Sequence, residues 1–106
     1  MSALNERSDY RFEWDKTKKQ QNIEKHGLDF ADAEKMFHDI LFARPDERQD
    51  YGERRWIGIG LIRDRVAVVA FTERGPNVIR VISLRKANHR EQKQYEEAVK
   101  NELEAR

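Results

Sequence analysis

Residues 65–72, RVAVVAFT, constrain this chain more than any other stretch, because they are apolar at odd and even positions alike. A strand with apolar residues on both faces belongs at the centre of a sheet that is covered on both sides. Its neighbours fit that role. RRWIGIGLI at 54–62 and NVIRVISLR at 77–85 have strand character, Arg63-Asp64 leaves room for a tight hairpin, and ERGP at 73–76 supplies the next turn. Three strands in sequence order, joined by short turns, predict an antiparallel meander.

Helices are expected before and after it. Phe12-Glu13-Trp14 reads as a short strand or an aromatic anchor. Asp15 then caps KTKKQQNIEKH, which Gly27 stops. The only strongly apolar residue of this helix is Ile23, so it either rests lightly on the body or uses its polar side. A second helix starts at Asp29, with Asp32 at the third position of a weak capping box. Phe30, Ala33, Met36 and Phe37 give it one buried stripe. ILFAR, 40–44, is expected as a short edge strand, since Pro45 cannot sit in a sheet centre. Asn88 and Glu91 form a capping box for a last helix whose stripe is Tyr95, Ala98, Val99 and Leu103. The fold class is therefore α+β: an antiparallel sheet meander with two N-terminal helices and one C-terminal helix. With 106 residues it reads as one domain over 12–106, after a flexible lead-in over 1–11.

Composition narrows the chemistry by exclusion. Without cysteine there are no disulfides, thiolate metal sites or thiol nucleophiles. No apolar run approaches the ~18 residues of a membrane span, and the acid-bearing N-terminus lacks a signal-peptide core, so a cytoplasmic protein with no membrane association is expected. His26, His38 and His89 show no metal-ligand spacing, and Gly58-Ile59-Gly60 opens no dinucleotide motif. No metal and no cofactor are expected.

The net charge of +1 hides a strong segregation. Arg80, Arg85, Lys86, Arg90 and Lys93 stand against Glu91 alone in 80–93. Lys16, Lys18, Lys19 and Lys25, with His26, stand against Asp15 and Glu24 in 15–26. The stretch between, 29–53, has eight acids against three bases. Lys16, Lys19, Ile23 and His26 share a helical face. If that helix lies beside the 80–93 seam, the two frame a positive groove; otherwise it is a solvated helix with scattered ion pairs. Arg80, inside VIRVIS, is either a structural ion pair across the sheet, with Glu53 or Glu73, or part of an anion site. One restriction applies. Arg80 and Ile82 share one strand parity, Ser83 and Arg85 the other, so these residues can face one groove only if the strand twists or bulges.

A basic, histidine-bearing surface without metal ligands suits RNA cleavage. The 2′-hydroxyl must lose a proton, the leaving 5′-oxygen must gain one, and fixed cations must meet the charge that builds on phosphorus. Arginine does this best through its fork of donors. His26, at a helix end, is placed to act as a cation or an acid, or merely to bond the last carbonyls of its helix. Phe12, Trp14, Trp56 and Phe71 read as core.

Three motifs in order then fit one family. FEWDKTKKQQNIEKHGLDFADAEKMFHD, GERRWIGIG and VIRVISLRKANHREQKQY resemble the BrnT family over residues 12–95. Leu84 and Asn88 depart from the usual Ala and Thr. The resemblance implies a RelE-like fold and an endoribonuclease toxin of a type II toxin–antitoxin pair that stops translation. It implies RNA as substrate, ribosome-bound mRNA included, and a BrnA-like ribbon-helix-helix antitoxin through which alone operator DNA is met. The positions that match are Lys25, His26, Arg55 and Arg80 as candidate catalytic residues, and Ser83, Arg85, Lys86, Glu91 and Tyr95 as candidate RNA contacts. Lys16 and Lys19 join the RNA contacts from the charge pattern. The alternative is a non-enzymatic module that binds RNA or protein through the same basic seam.

Overall fold

The structure is a computed structural model that describes residues 2–4 and 10–105. Its strands are β1 (Ser2–Leu4), β2 (Arg11–Glu13), β3 (Leu41–Pro45), β4 (Arg55–Ile62), β5 (Arg65–Glu73) and β6 (Val78–Lys86). Its helices are α1 (Lys16–His26), α2 (Ala33–Met36) and α3 (His89–Glu104), with a 3-10 turn at Phe30–Asp32 before α2. Among the described residues they form one six-stranded sheet of order β1-β3-β4-β5-β6-β2. Of the expected lead-in, residues 1 and 5–9 lie outside the described residues, while Ser2–Leu4 pairs with Leu41–Ala43.

The meander β4–β5–β6 is antiparallel as expected. The sheet as a whole is mixed, because β2 joins the far edge parallel to β6. Phe12-Glu13 serves both roles open in the sequence: it is a strand, and Phe12 and Trp14 also pack on the core. A three-residue strand leaves no sequence signal of its pairing direction; α1 simply returns the chain along the sheet. Pro45 ends β3 beyond the residues that pair with β1, so its missing N–H interrupts no ladder.

The second N-terminal helix is shorter than its apolar stripe suggests. Asp29 caps the 3-10 turn by accepting from the Ala31 amide at 2.9 Å, and only four residues are α-helical. The expected capping box is absent: Asp32 takes the Lys35 ammonium at 2.9 Å instead. Burial still follows the stripe, with Phe30, Ala33, Met36 and Phe37 at 3% exposure or less. Gly58 and Gly60 find their purpose here. A Cβ at either would lie 3.0 or 3.1 Å from Leu41 Cδ1, so glycine lets β3 and α2 close onto β4.

Two apolar clusters flank the sheet. The larger packs Leu28, Phe30, Met36 and Phe37 on Leu41, Val69, Phe71, Ile79, Val81 and Leu84. The smaller sits under α3, where Tyr95, Ala98 and Val99 meet Phe42, Ile59, Val66 and Val68. Leu103, expected in that stripe, is 56% exposed. Thus one face is covered along its centre and the other only half.

Candidate functional site

The pairing of β5 with β6 shifts register between Ala70 and Phe71. Ala70 pairs with Ser83 and Phe71 with Val81, so Ile82 is an extra residue on β6. Directly paired residues project to the same face. The bulge therefore supplies the exception that strict alternation required. Arg80, opposite Thr72, and Ser83 and Arg85, opposite Ala70 and Val68, all fall on the half-open face.

The register of the other strands completes that face. Arg55 is opposite Thr72 on β4, so Arg55, Thr72 and Arg80 form one row across three strands. Arg55 and Arg80 are two strand spacings apart, about 10 Å between backbones. In the next row Arg44, Ile57, Ala70 and Ser83 follow one another. The half-buried Ile57 and Ala70 are thus a small apolar floor, ringed by Arg44, Arg55, Arg80 and Arg85. Thr72 contributes no free donor, since its hydroxyl donates to the Arg54 carbonyl at 2.7 Å.

Three of the four arginines are held by carboxylates. Arg80 Nη1 donates to Glu13 at 2.8 Å, a partner on β2 rather than Glu53 or Glu73. Arg55 Nε donates to Glu53 at 3.0 Å, and Glu53 also meets Arg74 at 3.4 Å. Arg85 forms a two-pronged pair with Glu91 at 2.8 and 2.9 Å. These bonds from Arg85 hold the Glu91 carboxyl below the usual carboxylate range, while the same side chain accepts from the Asn88 amide in a complete capping box. Arg44 is exposed and makes no hydrogen bond or salt bridge among the described residues. The Arg55 and Arg80 forks are only partly used: the terminal nitrogens of Arg55 and the Nη2 of Arg80 have no hydrogen-bond partner among the described residues.

The loop between β3 and β4 supports the Arg55 end. Asp46, at its start, takes Arg48 Nε and Nη2 at 2.8 Å each and the Tyr51 hydroxyl at 3.0 Å. The Tyr51 ring in turn lies 4.3 Å from the Arg55 guanidinium carbon. Arg44, Asp46, Arg48 and Tyr51 are absent from the sequence-based site. Arg44 was discoverable in principle, as an arginine at a regular position of an apolar strand. The Asp46 set carries no periodic signal.

Helix α1 forms the other flank. Its buried residue is polar: Asn22 donates to the Leu84 and Leu28 carbonyls at 2.8 and 2.9 Å and accepts from the Leu84 amide at 3.1 Å. The side chain imitates a strand neighbour along the edge of β6 that β2 leaves uncovered. Next to this clamp is a hollow of about 260 Å³ lined by Lys18, Gln21, Lys25, His26, Ile82 and Ser83. Lys25, His26 and Ser83 are therefore together, and Ser83 joins the hollow to the apolar floor. Lys19 turns elsewhere, 3.6 Å from Asp29 and over the Trp14 ring, and Lys16 is exposed at the helix start. Lys86 pairs with Ala67 and so falls on the opposite face from Arg85. Tyr95 is buried under α3, its hydroxyl donating to the Ile40 carbonyl at 2.8 Å, and burial pushes its pKa up to about 12.

An α+β domain with arginines ringing an open patch of sheet presents a surface suited to anions. Residues 14–91 match the family model of the ribonuclease toxin BrnT of type II toxin–antitoxin systems, and the chain belongs to that family. It is similar to the crystal structure of the Brucella abortus ribonuclease toxin BrnT, with 32% identity, a TM-score of 0.58, and coverage of 76% of this chain and 99% of that one. No curated protein sequence matches the chain significantly. Among the described residues no helix is long and apolar enough to cross a membrane.

Proposed function

We propose that this ribonuclease toxin cleaves single-stranded RNA on the open sheet face, without a metal ion. One observation carries the reading: Arg44, Arg55, Arg80 and Arg85 ring the Ile57–Ala70 floor. A ribose or base lies on the floor, and the flanking phosphates meet the arginines. The 2′-oxygen attacks phosphorus, the bond to the 5′-oxygen breaks, and a 2′,3′-cyclic phosphate is left. Arg80 and Arg55 stabilise the charge gained by the phosphoryl oxygens. His26 and Lys25, beside Ser83, exchange protons with the attacking and leaving oxygens. Glu91 and Tyr95 are occupied by Arg85 and by the Ile40 carbonyl, which suits them to support rather than to proton transfer.

The wider reading follows the family. The fold is of the RelE-like kind, the site of action is the cytoplasm, and cleavage of mRNA, free or on ribosomes, stops translation. A BrnA-like ribbon-helix-helix antitoxin neutralises the chain and carries it to operator DNA. Purified protein incubated with RNA in EDTA is expected to yield fragments with cyclic phosphate ends. Arg80→Ala is expected to slow this by about 100-fold or more while antitoxin binding persists. RNA left intact with and without ribosomes, or an Arg80→Ala protein as active as the original, overturns the proposal.

A further inference from the structure

Among the described residues Asp46 is the only buried acid, its side chain 2% exposed. A carboxylate in that position is kept charged only if its oxygens are well supplied with donors. Asp46 is: Arg48 brings Nε, Nη2 and its amide, the last at 3.3 Å, and Tyr51 brings its hydroxyl. The Arg48 guanidinium holds the carboxyl far below its ordinary range. Arg48 itself is mostly exposed, so the carboxylate, not the arginine, is the anchored partner.

What Asp46 holds bears on the open face. Its backbone amide donates to the Arg55 carbonyl at 2.8 Å, which ties the acid to the start of β4. Its Oδ2 fixes the Tyr51 hydroxyl, and the Tyr51 ring supports the Arg55 guanidinium 4.3 Å away. Glu53 takes Arg55 Nε from the side. The fork is thus restrained by a ring and by an ion pair, with its terminal nitrogens unengaged by the described residues. Such a fork loses little entropy when it meets a phosphate.

We infer that Asp46 is a positioning residue for RNA cleavage: through the hydroxyl of Tyr51 it fixes the orientation in which Arg55 presents its fork. The inference rests on the assignment of Arg55 to the RNA-binding face. An asparagine at 46 has almost the same volume, but its amide nitrogen cannot accept from Arg48 or Tyr51. The amide lacks the negative charge that draws the Tyr51 hydroxyl, so the ring is held less firmly, and Arg55 with it. Phenylalanine at 51 keeps the ring and removes the same bond from the other end.

The test uses the full chain and two readouts. The first needs no RNA: the Arg55 Nε–Hε resonance, displaced by the Tyr51 ring current, is expected to move toward the value of an unstacked arginine in both Asp46→Asn and Tyr51→Phe. The second is turnover of a single-stranded RNA oligonucleotide and affinity for its 2′-O-methyl analogue. Each variant is expected to lose about tenfold to a hundredfold in kcat, with a smaller loss of affinity, and the double variant no more than either alone. In an Arg55→Ala background Asp46→Asn is expected to change the affinity no further. An unmoved Arg55 resonance, or an equal loss of affinity with and without Arg55, overturns the inference and makes Asp46 a staple of the loop. Should Asp46→Asn not fold, Tyr51→Phe decides by the same two readouts. If Arg55→Ala alone leaves turnover and affinity unchanged, the assignment of Arg55 to the site fails, while the resonance still reports whether Asp46 orients it.

Discussion

On the covered face of the sheet, Val69, Phe71, Val81 and Leu84 are each 2% exposed or less. On the open face of the same strands, Arg55, Arg80 and Arg85 are half-buried and each is paired with a carboxylate. The first face is held by removal of apolar area from water, which is strong and undirected. The second is held by ion pairs near solvent, which contribute little to stability but fix direction. The contrast teaches where each property resides. Stability belongs to the face that cannot be reached, and the proposed recognition of RNA to the face whose ion pairs can be exchanged for others.

The comparison can be broken most forcefully from the covered side. Phe71→Ala removes a ring packed edge-on to Phe37 at 5.2 Å, and is expected to destabilise the fold by about 3–5 kcal/mol. Urea denaturation measures this, and cleavage per folded molecule should be little changed. Asn22→Ala links the two regions. It leaves the Leu84 amide and carbonyl without their clamp, at a cost of about 3 kcal/mol, and loosens α1 beside Lys25 and His26. Lower stability and slower cleavage are both expected; cleavage at the full rate by the folded fraction would separate α1 from the site.

Acid should weaken the open face first. Glu91 is depressed by its bonds from Arg85, and Asp46 by its bonds from Arg48. A carboxyl whose pKa is lower folded than unfolded contributes stability that is complete above the unfolded value, about 4, and is lost as pH falls through the folded one. Melting temperature should therefore fall below about pH 4–5, and less steeply in Glu91→Gln, measured by thermal scans across pH. The smallest expected effect sharpens the picture. Glu13→Gln removes the partner of Arg80, whose ion pair is partly exposed, so stability should change by less than about 1 kcal/mol. RNA affinity should rise, and the slope of log K against log salt should steepen by roughly 0.7. An unchanged slope would show that Glu13 does not compete with phosphate for Arg80.

Much of the fold was legible because burial imposes a period. RVAVVAFT is central, its neighbours are the meander, and Phe30, Ala33, Met36 and Phe37 are buried. The parallel docking of β2 and the shortness of α2 left no such trace. The candidate site was legible in part. Arg55, Arg80, Ser83 and Arg85 are brought onto one face, whereas Lys19, Lys86 and Tyr95 are directed elsewhere. Arg44 and the set around Asp46 were missed, since a loop acid reveals its partners only when the loop closes.

The amino-acid sequence determined which surfaces must be dry, because the hydrophobic effect acts on each strand's own alternation, and it contained the three motifs of the family. Only the tertiary structure decided that residues of both parities share a face. That depended on one extra residue, Ile82, opposite the junction of Ala70 and Phe71. A bulge arises from pairing between two strands, and neither strand alone specifies where the register slips.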